Sequence, residues 1–320
     1  MISLLKDIFR RAGSAVLTLL GVVTLAFVIL RLAPGDPVSA LLGDYASSPE
    51  LVQQLREDYG LDKPIYMQYL TYIGNVLEGD FGKSLRTSRD VMEEILRVFP
   101  YTFFLALAAV FCAVLIGLPL GILSALRSNT AFDHGLRLFA ILGICMPSFW
   151  LALLLMYVFS VYLDWFPLIG GGDLSSPLNF LYYLILPALA LGMRDAASVS
   201  RIVRSTMLDL LQQDYILTAR AKGLPERMVI FKHALRNAMV TTLTVVSLEF
   251  GYTLGGTIII EAVFSRPGIG TLVVQAINAR DYPQLQGTVL FFAFCFIVVN
   301  LVTDLLYRVI DPRIDFGKAT

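Results

Sequence analysis

Apolar and charged positions alternate along this chain in long blocks rather than in the short periods of a soluble domain. Five stretches lack Lys, Arg, Asp and Glu over about the 20 residues that a bilayer-spanning helix needs. They are Ala12 to Leu30, Val98 to Leu126, Leu138 to Leu163, Leu174 to Met193, and Tyr282 to Thr303, the last continuing as a helical pattern toward Ile310. A sixth, Asn237 to Ile260, is interrupted only by Glu249. The pattern predicts an all-α polytopic membrane protein with six transmembrane helices. An even number of spans puts both termini on one side. Within the spans, Gly117 and Gly121, and again Gly251 and Gly255, have the small-xxx-small spacing that lets helices approach closely. Pro119, Pro147 and Pro187 are expected to kink their spans, since membrane helices tolerate proline where neighbours satisfy the freed carbonyls.

The charges between spans orient the chain. Residues 31 to 97 hold seven basic and eleven acidic side chains, whereas residues 194 to 236 hold eight basic and four acidic. By the positive-inside rule the second loop is cytoplasmic. Lys6, Arg10 and Arg11 put the N-terminus on that same side, and the connection at 164–173 carries Asp164 and Asp173 with no Lys or Arg. Both termini are therefore expected inside. Arg31-Leu32-Ala33-Pro34, after the first apolar stretch, shows no small-residue cleavage site, so an uncleaved span is expected there. The chain divides into residues 1–31, the N-terminal cytoplasmic end and first span; 32–97, a folded external loop; and 98–320, a five-span core carrying the cytoplasmic loop 194–236.

Both long loops have internal helix signals. In the external loop, Ser48 before Pro49 reads as an N-cap and Gly60 as a stop, predicting a short helix over 49–59. A second helix is predicted from Ile65 to Gly79, where Ile65, Tyr66, Tyr69, Leu70, Ile73, Val76 and Leu77 recur at helical spacing. It is expected to lie along the membrane face or dock on other spans, and the loop as a whole either receives a soluble partner or acts as a lid over helix ends. In the cytoplasmic loop, Asp214 is placed to cap a helix over Tyr215 to Lys222, Gly223 supplies its stop and Pro225 opens the next helix. The product is a knob of about two turns presenting Ala219, Ala221, Arg220 and Lys222.

Composition agrees with this picture. The 320 residues are 57% hydrophobic and 16% charged, against roughly 25% charged in soluble domains. Lys and Arg number 25 and Asp and Glu 25, so no net field recruits nucleic acid. Cys112, Cys145 and Cys295 lie in apolar stretches without a CxxC pair and read as small core residues. No catalytic constellation and no metal site are indicated. Gly82-Lys83-Ser84 ends like a phosphate-binding loop, but Leu77 stands where its first glycine belongs. Gly268 and Gly270 lack the third glycine of a dinucleotide fingerprint. His134 and His233, the two histidines, are too far apart for HExxH, and no serine sits in a GxSxG elbow.

Thr218 to Leu224 reads TARAKGL and His233 to Ala238 reads HALRNA. Together they resemble the coupling loop of bacterial ABC importer permeases of the dipeptide, oligopeptide and nickel group. APGDP (Ala33 to Pro37), YGLDKP (Tyr59 to Pro64), GDFGKS (Gly79 to Ser84), RPGIG (Arg266 to Gly270), RDYP (Arg280 to Pro283) and DPRI (Asp311 to Ile314) match in order, over nearly the whole chain. The resemblance implies a type I ABC importer permease-like fold in a bacterial or archaeal plasma (inner) membrane. It implies a membrane subunit that pairs with a homologous second permease, sits on two ABC ATPase subunits and receives substrate from an extracytoplasmic binding protein. ATP and Mg would be bound by those partners, with no cofactor on this chain. ATPase coupling is carried over onto Thr218, Ala219, Arg220, Ala221, Lys222, Gly223 and Leu224. Two positions depart from the pattern: Leu217 stands where the general importer consensus begins with Glu, and Thr241 where the group commonly has proline. Short peptides are the implied substrates, with nickel or metal chelates, glutathione and opines as alternatives in the same group.

Glu249 is the one charged residue in the sixth stretch. An ionised carboxylate at a span's centre costs about 2.5–3.5 kcal/mol on insertion scales, so it is expected to face the bundle interior or water. Thr242, Tyr252 and Thr253 neighbour it at helical spacing, and the four residues are the candidate translocation path. The alternative is a structural carboxylate, paired in a partner permease or protonated by burial. In a different class, an ion-coupled secondary transporter would use Glu249 and Asp304 and would show internal repeats; none is evident.

Overall fold

The computed structural model describes residues 13, 16–28, 53, 56, 57 and 62–310, the side chains of 304–310 excepted. Among them the structure is helical, with an isolated bridge between Lys83 and Asp90 and no sheet. The helices are α1 (Val16–Val28), α2 (Ile65–Glu78), α3 (Val91–Leu126), α4 (Ala131–Cys145), α5 (Ser148–Leu155, continued by a π-helical stretch, Met156–Tyr162), α6 (Pro177–Leu211), α7 (Asp214–Ala221), α8 (Glu226–Val263), α9 (Ile269–Ala279) and α10 (Tyr282–Ile310). Four described helices, α3, α6, α8 and α10, are long and apolar enough to cross a membrane, or five spans if α4 and α5 form one broken span. Most of the expected 49–59 helix, the ends of the first span and the motifs at 33–37 and 311–314 lie outside the described residues.

The third apolar stretch departs furthest from expectation. Instead of one kinked span, α4 and α5 meet at Met146-Pro147 with a bend of 104°. Proline at 147 disfavours the α conformation for the residue before it, and Met146 is extended (ψ 124°), which breaks the helix rather than kinking it. Pro119 and Pro187, by contrast, stay inside α3 and α6. The cysteines are not all core residues: Cys112 is half-buried and packs against the core, Cys295 is half-buried, and Cys145 is exposed on a side of its apolar stretch that turns outward.

The chain forms two compact units. One comprises the chain up to Pro100 with Pro267–Val298. In it α2 docks on α1 as anticipated: the Thr24 and Tyr69 hydroxyls lie 2.7 Å apart, and Phe27 packs on the rings of Tyr69 and Tyr72. Burial pushes the Tyr72 hydroxyl up to about 12. Helix α2 ends at Gly79 (φ +79°), where the Gly79 and Asp80 amides donate to the Val76 and Asn75 carbonyls. The amphipathic α9, absent from the sequence reading, ends on Arg280 in the left-handed region, and the next residue, Asp281, caps α10 by accepting from the Gln284 amide at 3.2 Å. The other Asp281 oxygen accepts from the Ser84 hydroxyl (2.5 Å) and the Arg86 amide (3.2 Å). The GDFGKS and RDYP motifs are thus joined through one buried carboxylate, and Ser84 is committed to that contact.

The other unit comprises Tyr101–Arg266 with the chain from Val299 on. Helix α6 is its axis, and its buried stripe, Leu184, Ala188, Leu191, Asp195, Val199, Val203 and Met207, runs past the boundary expected at Met193. Helix α3 crosses it at Gly117 and Gly121, where an added Cβ would stand 2.5 Å from the Ala196 carbonyl oxygen and 2.7 Å from that of Ser200. In the second glycine pair Gly251 is buried, whereas Gly255 has nothing within 4 Å of an added Cβ. Arg266 is fully buried beneath Tyr101 and Phe180, with its guanidinium carbon 5.5 and 5.0 Å from the ring centres, and donates to the Gly171 and Tyr183 carbonyls. Burial lowers its pKa to about 10. Helix α8 opens after Pro225 as expected and, with Thr241 in place of proline, continues unbroken through a π-helical turn at Val229–Ala234.

Candidate functional site

The knob expected at 215–222 is α7, Asp214–Ala221, one residue earlier at each end. Asp214 does not cap it; Gln213 occupies the cap position, and no side chain bonds there. Its end is built as expected on Gly223 (φ +77°). The Gly223 amide donates to Arg220 O (2.9 Å) and the Leu224 amide to Ala219 O (3.4 Å), the two bonds of a Schellman stop. Leu224 then folds back onto the apolar cluster that holds Ala219, the hydrophobic contact that accompanies this motif.

The knob's two faces differ from the expected ones. Ile216 and Ala219 are buried, Ala219 with 5% exposure, in a cluster with Val199, Val203, Met207, Val229 and Ile230. Ala219 therefore seats the knob on its own chain, because residues at i and i+3 share the helix face that meets α6 and α8. Arg220 is also engaged internally: its Nη2 lies 2.7 Å and its Nε 3.2 Å from the two Glu226 oxygens, a two-point contact that straddles the Gly223 turn. The Glu226 carboxylate raises the Arg220 pKa above its ordinary value. What faces outward is Leu217 (52% exposed), Thr218, Ala221 and Lys222, with Tyr215 beside them held by the Asn237 amide at 3.0 Å.

The four path residues are not all on one face. Thr242 and Thr253 are buried within the unit, while Tyr252 is 72% exposed and Glu249 is half-buried between them. The Thr253 hydroxyl lies 2.6 Å from Asp195 Oδ2 and 2.7 Å from Glu249 O. Asp195, a second acidic residue at this level, is absent from the sequence reading. Its signal was available: carried past Met193, the stripe of α6 puts Asp195 four residues after Leu191 and four before Val199. Among the described residues the Glu249 carboxylate has no hydrogen bond or ion pair, and no group of three metal-ligating side chains occurs.

Comparison with known proteins gives matches over nearly the whole chain. Residues 117–316 match the model of the family described as binding-protein-dependent transport system inner membrane component, and residues 4–106 match the N-terminal model of the same transport systems. The di/tripeptide transport system permease protein DppB of Pseudomonas aeruginosa is 42% identical, over 97% of this chain and 99% of the relative. The oligopeptide transport system permease protein AppB of Bacillus subtilis is 41% identical over the same shares. The probable D,D-dipeptide transport system permease protein DdpB of Escherichia coli K12 is 42% identical, over 96% of this chain and 97% of the relative. Two structures of the MetNI methionine ABC transporter in inward-facing conformations share the fold, with TM-scores of 0.54 and 0.56 at 16% identity, over 69% of this chain and 97% of theirs.

Proposed function

Because this chain belongs to the family of binding-protein-dependent transport system inner membrane components, we propose that, as the permease subunit of an ATP-driven ABC importer, it translocates short peptides delivered by an extracytoplasmic binding protein. The observation that carries the reading is identity above 40% along nearly the full length of permeases named for di/tripeptide and oligopeptide transport. The chain is a multi-pass membrane protein, and its partners are a homologous second permease and two ATPase subunits that hold ATP and Mg. The knob α7 is the part those ATPases engage. Its docking face is Leu217, Thr218, Ala221 and Lys222, which point outward, while Ala219, Gly223, Leu224 and the Arg220–Glu226 pair set its shape. An apolar Leu217 flanked by small residues suits a groove on a folded partner, and Lys222 supplies a cation at its rim. Closure of the ATPase dimer then presses on α7, and α6 and α8, which seat it, take up the movement. Glu249 is proposed to face the passage and to favour a cationic group on the cargo. An unpaired carboxylate inside a span is costly against lipid, and its half-exposure in the chain leaves it open to water or to the second permease.

Purification of the tagged chain from its native membrane tests the reading. ATP-binding subunits and a second permease should co-purify, and the peptide-loaded binding protein should stimulate ATP hydrolysis. A chain that purifies without ATPase subunits under conditions that keep membrane complexes together would contradict it.

A further inference from the structure

The buried carboxylate of Asp133, in the first turn of α4, is bound from three directions. Arg204 of α6 meets it at two points, Nε to Oδ1 at 2.7 Å and Nη2 to Oδ2 at 2.8 Å. The Ser124 hydroxyl of α3 donates to Oδ1, and the amide of Asn129 donates to Oδ2 at 3.0 Å. Arg137, one turn along α4, stands 3.6 Å away. Asp133 has 0% exposure, and Asn129 takes a positive φ (62°) that aims its amide at the carboxylate. Three helices thus meet at one ion.

Burial of an ion pair is poor evidence for stability, because well-packed apolar residues often do as well; its better-attested use is to fix register. Helix α3 meets α6 at Gly121, and α4 meets it at Gly143, where a Cβ would stand 3.0 Å from that of Ala197. Small residues let these helices approach closely, and a two-point guanidinium–carboxylate contact adds a fixed distance and direction. Arg204 also adjoins the seat of the knob: Val203 and Met207, one and three residues away on α6, lie in the cluster that buries Ile216 and Ala219 of α7. On its other side, Asp133 opens the helix that runs to the 104° bend at Met146-Pro147.

We infer that the Asp133–Arg204 pair is a positioning element that transmits displacement of α7, through α6, into α4, and so links ATP hydrolysis to passage of cargo. The inference rests on the importer reading above and adds residues to it that neither the knob nor the passage contains.

The test uses the whole complex in liposomes, with its own binding protein and a mixture of di- and tripeptides, and reads peptide imported per ATP hydrolysed. Arg204→Lys keeps the cation and forfeits the two-point contact; Asp133→Asn keeps the shape and forfeits the charge. Both are expected to assemble and to hydrolyse ATP within about twofold of wild type. Imported peptide per ATP is expected to fall by about tenfold, within the range of typical coupling free energies. Because the ratio is taken per ATP, a lower yield of complex does not move it. An unchanged ratio in both variants would overturn the inference, as would failure of both to assemble, which would make the pair an element of folding alone. A wild-type complex that hydrolyses ATP without importing peptide, or imports without ATP, would instead overturn the importer reading.

Discussion

A methyl group added at Gly121 would stand 2.7 Å from the Ser200 carbonyl oxygen and from the Val203 Cβ, both in the buried part of α6. Gly121→Ala is therefore expected to cost about 1–3 kcal/mol of stability, the usual range for overpacking. Gly255→Ala, with open space around its Cβ, is expected to be neutral or stabilising by up to about 1 kcal/mol through lost chain entropy. Thermal unfolding of the two purified variants checks the contrast. The spacing of the glycines was legible in both pairs, but which of them meet a neighbour within the chain depends on how far each helix is rotated, and spacing carries no rotation. Glu249 was legible as the lone charge of its stretch; Asp195 was obscured because it sits among the charges that mark the loop. Glu249→Gln should leave assembly and basal ATP hydrolysis intact and lower uptake of cationic peptides more than neutral ones. Equal uptake of both classes would remove Glu249 from selectivity, and loss of the complex would favour the structural role.

The knob shows what an element's sequence does and does not reveal. Its length, its glycine stop and the proline that follows were all legible, because local backbone chemistry sets them. Its orientation was not, because Ala219 and Ala221 are equally small and only packing against Val203, Met207 and Val229 separates them. Two substitutions expose the difference. Ala219→Asp buries a charge inside the chain's own cluster and should destabilise the permease itself by roughly 1–3 kcal/mol or more. Leu217→Asp should leave the purified permease as stable as wild type and abolish its pairing with the ATPases; pull-down of the ATPase subunits and thermal unfolding of the permease, measured together, separate the two effects. A stable Ala219→Asp variant would contradict the face assignment. Gly223→Val has space for its side chain but must hold a φ of +77°; a cost of about 1–2 kcal/mol is expected from the left-handed strain alone. Helix α9 escaped notice for a different reason: at 11 residues it is too short for a span, and its stop is an arginine rather than a glycine. The break at Met146-Pro147 was legible as a position but not as an angle, since proline removes a bond without dictating the new direction.

At the scale of the molecule, the helical class and four or five of the six expected spans were legible from block length, whereas the two compact units were not. Residues 267–298 join the N-terminal part through tertiary contacts such as Asp281 with Ser84, which no local pattern announces. The charge asymmetry of the two long loops predicts the orientation, and exposed positions on each are suited to labelling. A cysteine at Lys63 should react with an impermeant maleimide in intact cells, and one at Gln213 only after the membrane is opened; the reverse pattern would invert the chain and remove α7 from the ATPase side. The central claim is that ATP on partner subunits, and not an ion gradient, drives cargo through this chain. Its most direct measurement is peptide uptake into liposomes that carry the purified complex, with the binding protein outside and ATP inside. Uptake is predicted to require both ATP and the binding protein and to persist when ionophores collapse all ion gradients. Uptake that proceeds without ATP and stops with the gradients would contradict the account.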